Sequence, residues 1–314
     1  MTKPRIIDCP VIVLVGPTAI GKTALSLELV KRFDCEIISM DSMQVYRHMD
    51  IGTAKPSLAE RALVPHHLID IISPDEQYDA ARFVSDALAA IDAAADRKRT
   101  VLLTGGTGLY QKALFDGLFT AMPANPKVRS QLQVRLEEEG RVALHDELCR
   151  IDPQTGVRVH KNDTQRLLRG LEIYWSSGRT WSELLQEQRK EGQGVSFSRA
   201  YQIALTCERD ELYQRIECRS CRMIEQGLIE EVEKLRVMGY SPALPSMQSI
   251  GYRHANNLLS SLWDRETMME YLIRDTRRYA KRQMTWFGKN KELNWYNRTE
   301  RELVIDKIAK KINL

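Results

Sequence analysis

Several features of specialised protein classes are missing from this sequence. Its 314 residues contain only six cysteines, too few for the disulfide framework of a small secreted domain. No apolar run approaches the ~20 residues that a membrane-spanning helix needs, and the apolar stretch after Met1–Arg5 is too short for a signal peptide. Internal repeats and low-complexity tracts are also absent. We therefore expect a soluble cytoplasmic protein without membrane association, with a monomer as the default.

The excess of positive charge is small as well. Lys and Arg number 46 against 42 Asp and Glu, a net charge of +4, which does not by itself indicate nucleic-acid binding. With 43% hydrophobic and 28% charged residues, the composition is that of a globular protein. At roughly 150 residues per domain, the length predicts about two domains.

The first third of the chain alternates short apolar strands with amphipathic helices. We predict strands at residues 11–15, 36–39, 67–72 and 100–104. Helices are expected from Lys22 and over Asp79–Arg97. Strands separated by helices indicate a parallel sheet flanked by helices, an α/β fold.

The pattern becomes helical after residue 121 and stays so until Gly192, Gly194 and Ser196. Another core strand is predicted at 201–205, and long helices follow from about Asp210 to Phe287. We therefore expect a catalytic core built from residues 1–121 and 200–314, interrupted by an all-helical insertion at 122–199.

A phosphate-binding motif, G-x-x-x-x-G-K-[ST], lies between the first strand and the first helix. It consists of Gly16, Pro17, Thr18, Ala19, Ile20, Gly21, Lys22 and Thr23. Its glycines let backbone N–H groups face a phosphate at a helix N-terminus. Lys22 adds a positive charge, and the Thr23 hydroxyl is a ligand for Mg²⁺. This phosphate-binding loop (P-loop) predicts binding of a diphosphate or triphosphate.

Asp41 comes just after the second predicted strand, so its carboxylate should lie at the same edge of the sheet as the phosphate-binding loop. Asp70 is less well placed because it lies in the middle of an apolar run. Thr107 follows the fourth strand in a glycine-rich turn. Ligands of open α/β sheets collect at the carboxyl ends of the strands, so both residues are candidates for the reacting centre. A helix cap remains the alternative for Asp41, and a structural role remains the alternative for Thr107.

Basic residues concentrate on one predicted helix, Asp264–Phe287. Residues 271–291 contain seven Lys or Arg and one Asp, a local charge of +6, which favours contact with nucleic-acid phosphates over a merely solvated face. The expected buried stripe is Met269, Ile273, Thr276, Ala280, Met284 and Phe287.

A second basic segment is a ridge of three arginines on one predicted helix, Arg215, Arg219 and Arg222. Their guanidinium groups could bind a phosphate, whose geometry they match, or could equally pair with Glu217 and Glu225. Cys218 and Cys221 lack the further ligands of a zinc site. His66 and His67 are expected to pack at a strand entry.

An ordered set of motifs resembles one family, the bacterial tRNA dimethylallyltransferases, also called tRNA isopentenylpyrophosphate transferases. The motifs are Gly16–Thr23, Asp41–Tyr46, Asp50–Pro56, Pro65–Asp70, Gly105–Tyr110, Asn162–Arg169, Ser249–Arg253 and Ala280–Phe287. The resemblance implies transfer of a dimethylallyl group from dimethylallyl diphosphate to N6 of adenosine-37 in tRNA, with Mg²⁺ as cofactor and a flipped-out adenine.

The resemblance also implies individual roles. Asp41 would accept the N6 proton, Thr107 would contact the reacting region, and Arg219 would bind the diphosphate. The implied tRNA contacts are Ser42, Met43, Gln44, Arg129, Gln165, Arg166, Leu167, Leu168, Arg169, Gln248, Ser249, Ile250, Gly251, Tyr252, Arg253, Lys281, Arg282 and Gln283. The insertion would hold the anticodon stem-loop. Gly288 stands where relatives commonly carry a basic residue.

The main rival hypothesis is a P-loop kinase for a small molecule or nucleoside. It would share the phosphate-binding loop and the acid after the second strand, but it would leave the basic helix without a role.

Overall fold

The computed structural model describes residues 5–117, 125–191 and 195–312. Its strands are β1 (Arg5–Ile7), β2 (Val11–Val15), β3 (Cys35–Ser39), β4 (His66–His67), β5 (Thr100–Gly105), β6 (Val195–Phe197), β7 (Ala200–Thr206) and β8 (Asn294–Asn297). Six of these form one parallel sheet in the order β4-β3-β5-β2-β7-β8, and β1 pairs with β6 separately. The predicted α/β fold with a parallel sheet is confirmed.

Helices flank this sheet and make up most of the remaining described chain. They are α1 (Lys22–Phe33), α2 (Leu58–Leu63), α3 (Ala80–Asp96), α4 (Gly108–Asp116), α5 (Pro126–Ile151), α6 (Pro153–Arg158), α7 (Thr164–Ser177), α8 (Trp181–Glu191), α9 (Arg209–Glu225), α10 (Leu228–Val237), α11 (Tyr252–Leu259), α12 (Arg265–Phe287) and α13 (Arg301–Ile312). Asp79 caps α3 by accepting hydrogen bonds from two backbone amides, which stabilises the helix where the sequence predicts its start.

The chain separates into two compact units. One contains residues 6–115 and 197–314, and the other contains residues 1–5 and 116–196. The predicted insertion covered 122–199; its predicted first residue and the exit signals Gly192 and Gly194 lie outside the described residues. The second unit has its own core, made by Leu132, Leu144, Leu148, Val159, Leu167, Leu168 and Leu171.

The strand predicted at 67–72 is wrong. The strand ends at His67 because Leu68 and Asp70 adopt positive φ angles of 63° and 57°, which a strand does not allow. Asp70 is held in this bend by Lys55 Nζ and Arg61 Nη1, each 2.5 Å from one of its carboxylate oxygens. Non-local ion pairs therefore override the local apolar pattern, and Asp70 is structural.

The buried stripe of α12 is displaced from its predicted position. Met268, Leu272, Ala280, Gln283 and Phe287 are buried, whereas Met269, Ile273, Thr276 and Met284 are only partly buried. The helix packs against both α9 and α11, so its contact surface is wider than a single stripe. A polar residue, Gln283, belongs to the buried face.

Candidate active site

A cavity of about 530 Å³ opens at the carboxyl ends of the central strands. The phosphate-binding loop, the ends of β3 and β5, the turn after Met49, α9 and α12 all contribute to its wall. Its charged and polar lining residues include Lys22, Thr23, Asp41, Gln44, Arg215, Arg219, Arg222, Tyr279 and Gln283. Parallel strands end at one edge of the sheet, so side chains far apart in the sequence meet here.

The phosphate-binding loop has the backbone shape that its glycines predict. Gly16 has φ +147°, and a Cβ there would lie 2.9 Å from the Leu205 carbonyl oxygen. Lys22 Nζ donates hydrogen bonds to the carbonyl oxygens of Gly16 at 3.0 Å and Pro17 at 2.9 Å. Burial, and secondarily Arg219, lower the pKa of Lys22 to about 8, while Asp41 opposes the shift. A charge held in this way is available to a bound phosphate.

Three arginines of α9 face the same cavity. Arg215 Nε donates to the Ala19 carbonyl oxygen at 2.7 Å, whereas Arg219 makes no hydrogen bond or ion pair to any residue in the described chain. Burial lowers the pKa of Arg219, and Asp41 opposes this effect. Glu217, a suggested partner of the ridge, instead pairs with Arg277 at 3.0 Å. The geometry favours anion binding by the ridge over pairing along its own helix.

Asp41 and Thr107 come together at the sheet edge, as their positions after β3 and β5 predict. Asp41 Oδ1 accepts a hydrogen bond from the Met43 amide at 2.9 Å, in a turn and not at a helix start. The Thr107 hydroxyl oxygen accepts a hydrogen bond from the Ser42 amide at 3.0 Å. Asp41 lines the cavity, but Thr107 is not among its described lining residues. Thr107 therefore holds the segment after Asp41 through the Ser42 amide.

Gln44 is the other residue of this segment that lines the cavity. Its Oε1 accepts a hydrogen bond from the Ser39 hydroxyl at 3.0 Å, and its Nε2 lies 3.4 Å from the carbonyl oxygens of Thr53 and Ala54. Ser42 and Met43 are partly buried beside it but do not line the cavity.

Gln283 occupies a different place from the RNA surface implied by the sequence. It is buried; its Oε1 accepts from the Thr18 amide at 2.8 Å and its Nε2 donates to the Gly106 carbonyl oxygen at 2.9 Å. A Cβ on Gly106 would lie 2.3 Å from that Nε2. The side chain joins the phosphate-binding loop to the loop after β5, so a direct RNA contact by Gln283 is not supported.

Three further implied RNA contacts need the same correction. Leu167 and Leu168 belong to the core of the helical unit, and Tyr252 is fully buried in a hydrophobic cluster of the other unit. Their side chains pack instead of facing solvent, because they lie on the apolar faces of α7 and α11.

The remaining implied RNA contacts differ in their exposure to solvent. In the helical unit, the buried Glu172 forms ion pairs with Arg129 at 3.4 Å and with Arg169 at 3.0 Å. Arg129 also donates a hydrogen bond to Gln165 at 2.8 Å. Arg166 is exposed and pairs with Asp163. In the other unit, Lys281, Arg282 and Gln248 are exposed, whereas Ser249, Ile250 and Arg253 are partly buried and Gly251 is buried.

A second concave surface lies between α9 and α12. It measures about 520 Å³ and is lined by Arg209, Tyr213, Glu217, Glu270, Ile273, Arg274, Arg277, Arg278 and Lys281. The guanidinium groups of Arg209 and Arg277 both lie over the Tyr213 ring, 5.1 Å and 5.0 Å from its centroid. Basic residues around an aromatic ring are typical of surfaces that bind nucleic acid.

Tyr279 is a cavity residue that the sequence interpretation missed. Burial, with the nearby Asp41 carboxylate, raises its pKa. Tyr279 and Gln283 stand four residues apart on α12, so both project to the same face. A polar pair at this spacing within an apolar stripe is the signal that could have identified them.

The cavity offers oxygen ligands of the kind that Mg²⁺ prefers. Thr23, Ser26, Asp41 and Thr104 all line it. Within the described residues, no cluster of three or more His, Cys, Asp or Glu forms a complete metal site. Mg²⁺ is typically held by one or two protein groups together with substrate phosphates and water.

Two other sequence expectations concern cysteines and membranes. Cys218 and Cys221 are exposed free thiols on α9. No described helix is both long and apolar enough to cross a membrane.

Comparison with known proteins connects this chain to one family. The IPP transferase family model matches residues 44–291. A tRNA dimethylallyltransferase of Desulfotalea psychrophila is 50% identical over 300 residues, covering 96% of this chain and 95% of the relative. The relative from Thermotoga petrophila is 45% identical over 284 residues, covering 90% and 91%.

Solved structures of related proteins also match most of this chain. The tRNA isopentenylpyrophosphate transferase of Bacillus halodurans has a TM-score of 0.70 at 38% identity and covers 97% of each chain. A eukaryotic dimethylallyltransferase acting on tRNA has a TM-score of 0.75 at 27% identity, covering 97% of this chain and 77% of that one. The chain therefore belongs to the IPP transferase family, the tRNA dimethylallyltransferases.

Proposed function

We propose that this protein transfers the dimethylallyl group of dimethylallyl diphosphate to N6 of adenosine-37 in tRNA and releases diphosphate. The observation that carries the proposal is the meeting of Asp41, the unpartnered Arg219 and the phosphate-binding loop in one cavity. Cationic and backbone donors surround one carboxylate, which suits an anionic leaving group beside a proton acceptor.

The diphosphate would be held by the loop amides, Lys22 and Arg219. When the C–O bond of the donor breaks, its electron pair goes to the diphosphate oxygen, and the negative charge there is stabilised by these donors. Thr23 would hold Mg²⁺, with Asp41 nearby, and the ion would supply further charge neutralisation on the diphosphate.

Asp41 would remove the proton from the adenine amino group as its nitrogen bonds to the first carbon of the dimethylallyl group. Its second carboxylate oxygen is not used by the hydrogen bond from Met43, which involves Oδ1. The adenine must leave its stack to enter the cavity, as in other enzymes that modify bases. Gln44, on the cavity wall, would then contact the base.

The tRNA would be bound by both compact units, each through its own surface. We propose that Arg129, Gln165, Arg166 and Arg169 of the helical unit contact the anticodon stem-loop. The exposed Lys281 and Arg282, with the concave surface between α9 and α12, would contact phosphates. We propose that the protein acts as a monomer in the cytoplasm.

The test uses the protein with Mg²⁺, dimethylallyl diphosphate and unmodified tRNA. We expect prenylated adenosine in digested tRNA by mass spectrometry, and none when adenosine-37 is replaced by guanosine. A product that persists after this replacement would contradict the site of modification. ATP turnover without prenylation would support the rival kinase.

A further inference from the structure

The carboxylate of Glu231, on α10, holds the backbone of the turn at residues 50–53. Its Oε2 accepts hydrogen bonds from the amides of Asp50 at 3.0 Å and Ile51 at 2.8 Å, and its Oε1 accepts one from Gly52 at 3.3 Å. The Tyr252 hydroxyl donates to the same Oε1 at 2.6 Å. Four donors on one carboxylate give the turn a defined position, since hydrogen bonds to charged groups are among the stronger ones.

The Tyr252 ring packs against the turn at Gly52. Its ring is fully buried, and a Cβ on Gly52 would lie 2.4 Å from it. Burial, together with Glu231, raises the pKa of the Tyr252 phenol well above 10, so the hydroxyl keeps its proton and continues to donate. Glycine at position 52 is therefore required by this close packing.

The turn that Glu231 holds leads directly into the wall of the donor cavity. Thr53, Ala54 and Pro56 line the cavity. Ala54 has φ +47°, a conformation that persists only when surrounding contacts enforce it. The carbonyl oxygens of Thr53 and Ala54 lie 3.4 Å from Gln44 Nε2, so a displaced turn would also release Gln44.

We propose that Glu231 and Tyr252 are positioning residues for prenyl transfer, which hold the turn at 50–53 so that the cavity keeps its shape for the donor. The inference rests on the proposed function. It gives Tyr252 a role different from the RNA contact implied by its motif. It also explains why the Asp50–Pro56 motif has a glycine at its third position.

The experiment compares Tyr252→Phe and Glu231→Gln with Glu233→Gln, a matched control on the same helix. Glu233 is exposed and makes no hydrogen bond or ion pair to the described residues. Steady-state kinetics measures kcat and the KM values for dimethylallyl diphosphate and tRNA, and thermal unfolding measures stability. We expect kcat/KM for the donor to fall about tenfold in the first two variants, the scale of one lost hydrogen bond to a charged group. The KM for tRNA and the control variant should not change.

Two results would overturn the inference. One is a kcat/KM for the donor in Tyr252→Phe equal to that of Glu233→Gln, whatever the loss in thermal stability. The other is a raised KM for tRNA with normal donor kinetics, which would return Tyr252 to RNA binding. If Glu231→Gln does not fold, Tyr252→Phe decides the matter because it removes a single hydroxyl. Absence of prenylation by the unchanged protein would instead overturn the proposed function.

Discussion

Gln283 and Thr18 are joined across 265 residues of sequence by a hydrogen bond of 2.8 Å, in which the Thr18 amide donates to Gln283 Oε1. Through the amide oxygen of Gln283, helix α12 thereby holds the phosphate-binding loop. The amide nitrogen of the same Gln283 side chain donates to the Gly106 carbonyl oxygen. Two loops that face the donor thus depend on one amide group.

Replacing Gln283 by Ala should weaken donor binding. The change removes both buried hydrogen bonds and leaves the Gly106 carbonyl oxygen without this partner, so we expect the KM for dimethylallyl diphosphate to rise about tenfold. Thr285→Ala, at an exposed position of the same helix, is the control. A changed KM for tRNA with an unchanged donor KM would contradict the reassignment of Gln283.

Asp41→Asn should lower kcat by about 10²–10⁴, the usual effect of losing a general base. The amide keeps the shape of the side chain and an oxygen that can accept from the Met43 amide, so the fold should persist. Single-turnover kinetics with saturating tRNA and donor measures the chemical step, and filter binding measures tRNA affinity. Equal single-turnover rates in the two proteins would exclude Asp41 as the base.

The affinity for inorganic pyrophosphate should decrease above pH 8. Burial lowers the pKa of Lys22 to about 8, so the free protein loses this charge as the pH rises through that value. We expect Kd to increase by up to about tenfold per pH unit above it, the limit for one linked proton. Isothermal titration calorimetry between pH 7 and pH 9.5 measures the effect. In Lys22→Arg the guanidinium stays charged, and an unaltered pH profile in that variant would show that another group titrates.

The basic face of α12 should contribute to the salt dependence of tRNA binding. Replacing Lys281 and Arg282 by Ala should raise Kd and reduce the slope of log Kd against log salt by about 0.7–0.9 per lost phosphate contact. The matched control replaces Lys310 and Lys311, which are exposed on α13. Equal slopes in the two double variants would show that this face is only solvated.

Folding stability should fall in mild acid because of His254. Burial, with a further contribution from Arg253, lowers the pKa of His254 from 6.5 to about 4, although Asp275 opposes the shift. A depressed histidine pKa means that the unfolded chain binds the proton first, so stability is complete above about pH 6.5 and is lost as pH falls toward 4. Urea unfolding across this range tests the prediction.

His254→Asn provides the comparison for that experiment. The His254 Nδ1 accepts a hydrogen bond from the Gly251 amide at 3.2 Å, which the asparagine oxygen can replace without titrating. The variant should therefore show a flatter pH dependence. A slope equal to that of the unchanged protein would assign the effect to other groups.

Local patterns in the sequence were enough to predict much of the fold and part of the site. The buried strands, the phosphate-binding loop and the placement of Asp41 after β3 all depend on residues that are close neighbours in the chain. A parallel sheet brings the ends of its strands to one edge whatever the connecting segments contain. For this reason Asp41 and the loop could be expected in one cavity.

Other features depended on contacts between distant segments, and only the tertiary structure decided them. Asp70 bends the chain after β4 because Lys55 and Arg61 bind it, which no apolar count along 67–72 can reveal. Tyr252 and Gln283 stand in motifs that suggested RNA contact, yet both are buried and hold loops of the donor cavity. The sequence by itself determined which chemical groups are present and at which edge of the sheet most of them collect. The tertiary structure decided which of them face the substrates, because burial and long-range hydrogen bonds follow from how the helices pack.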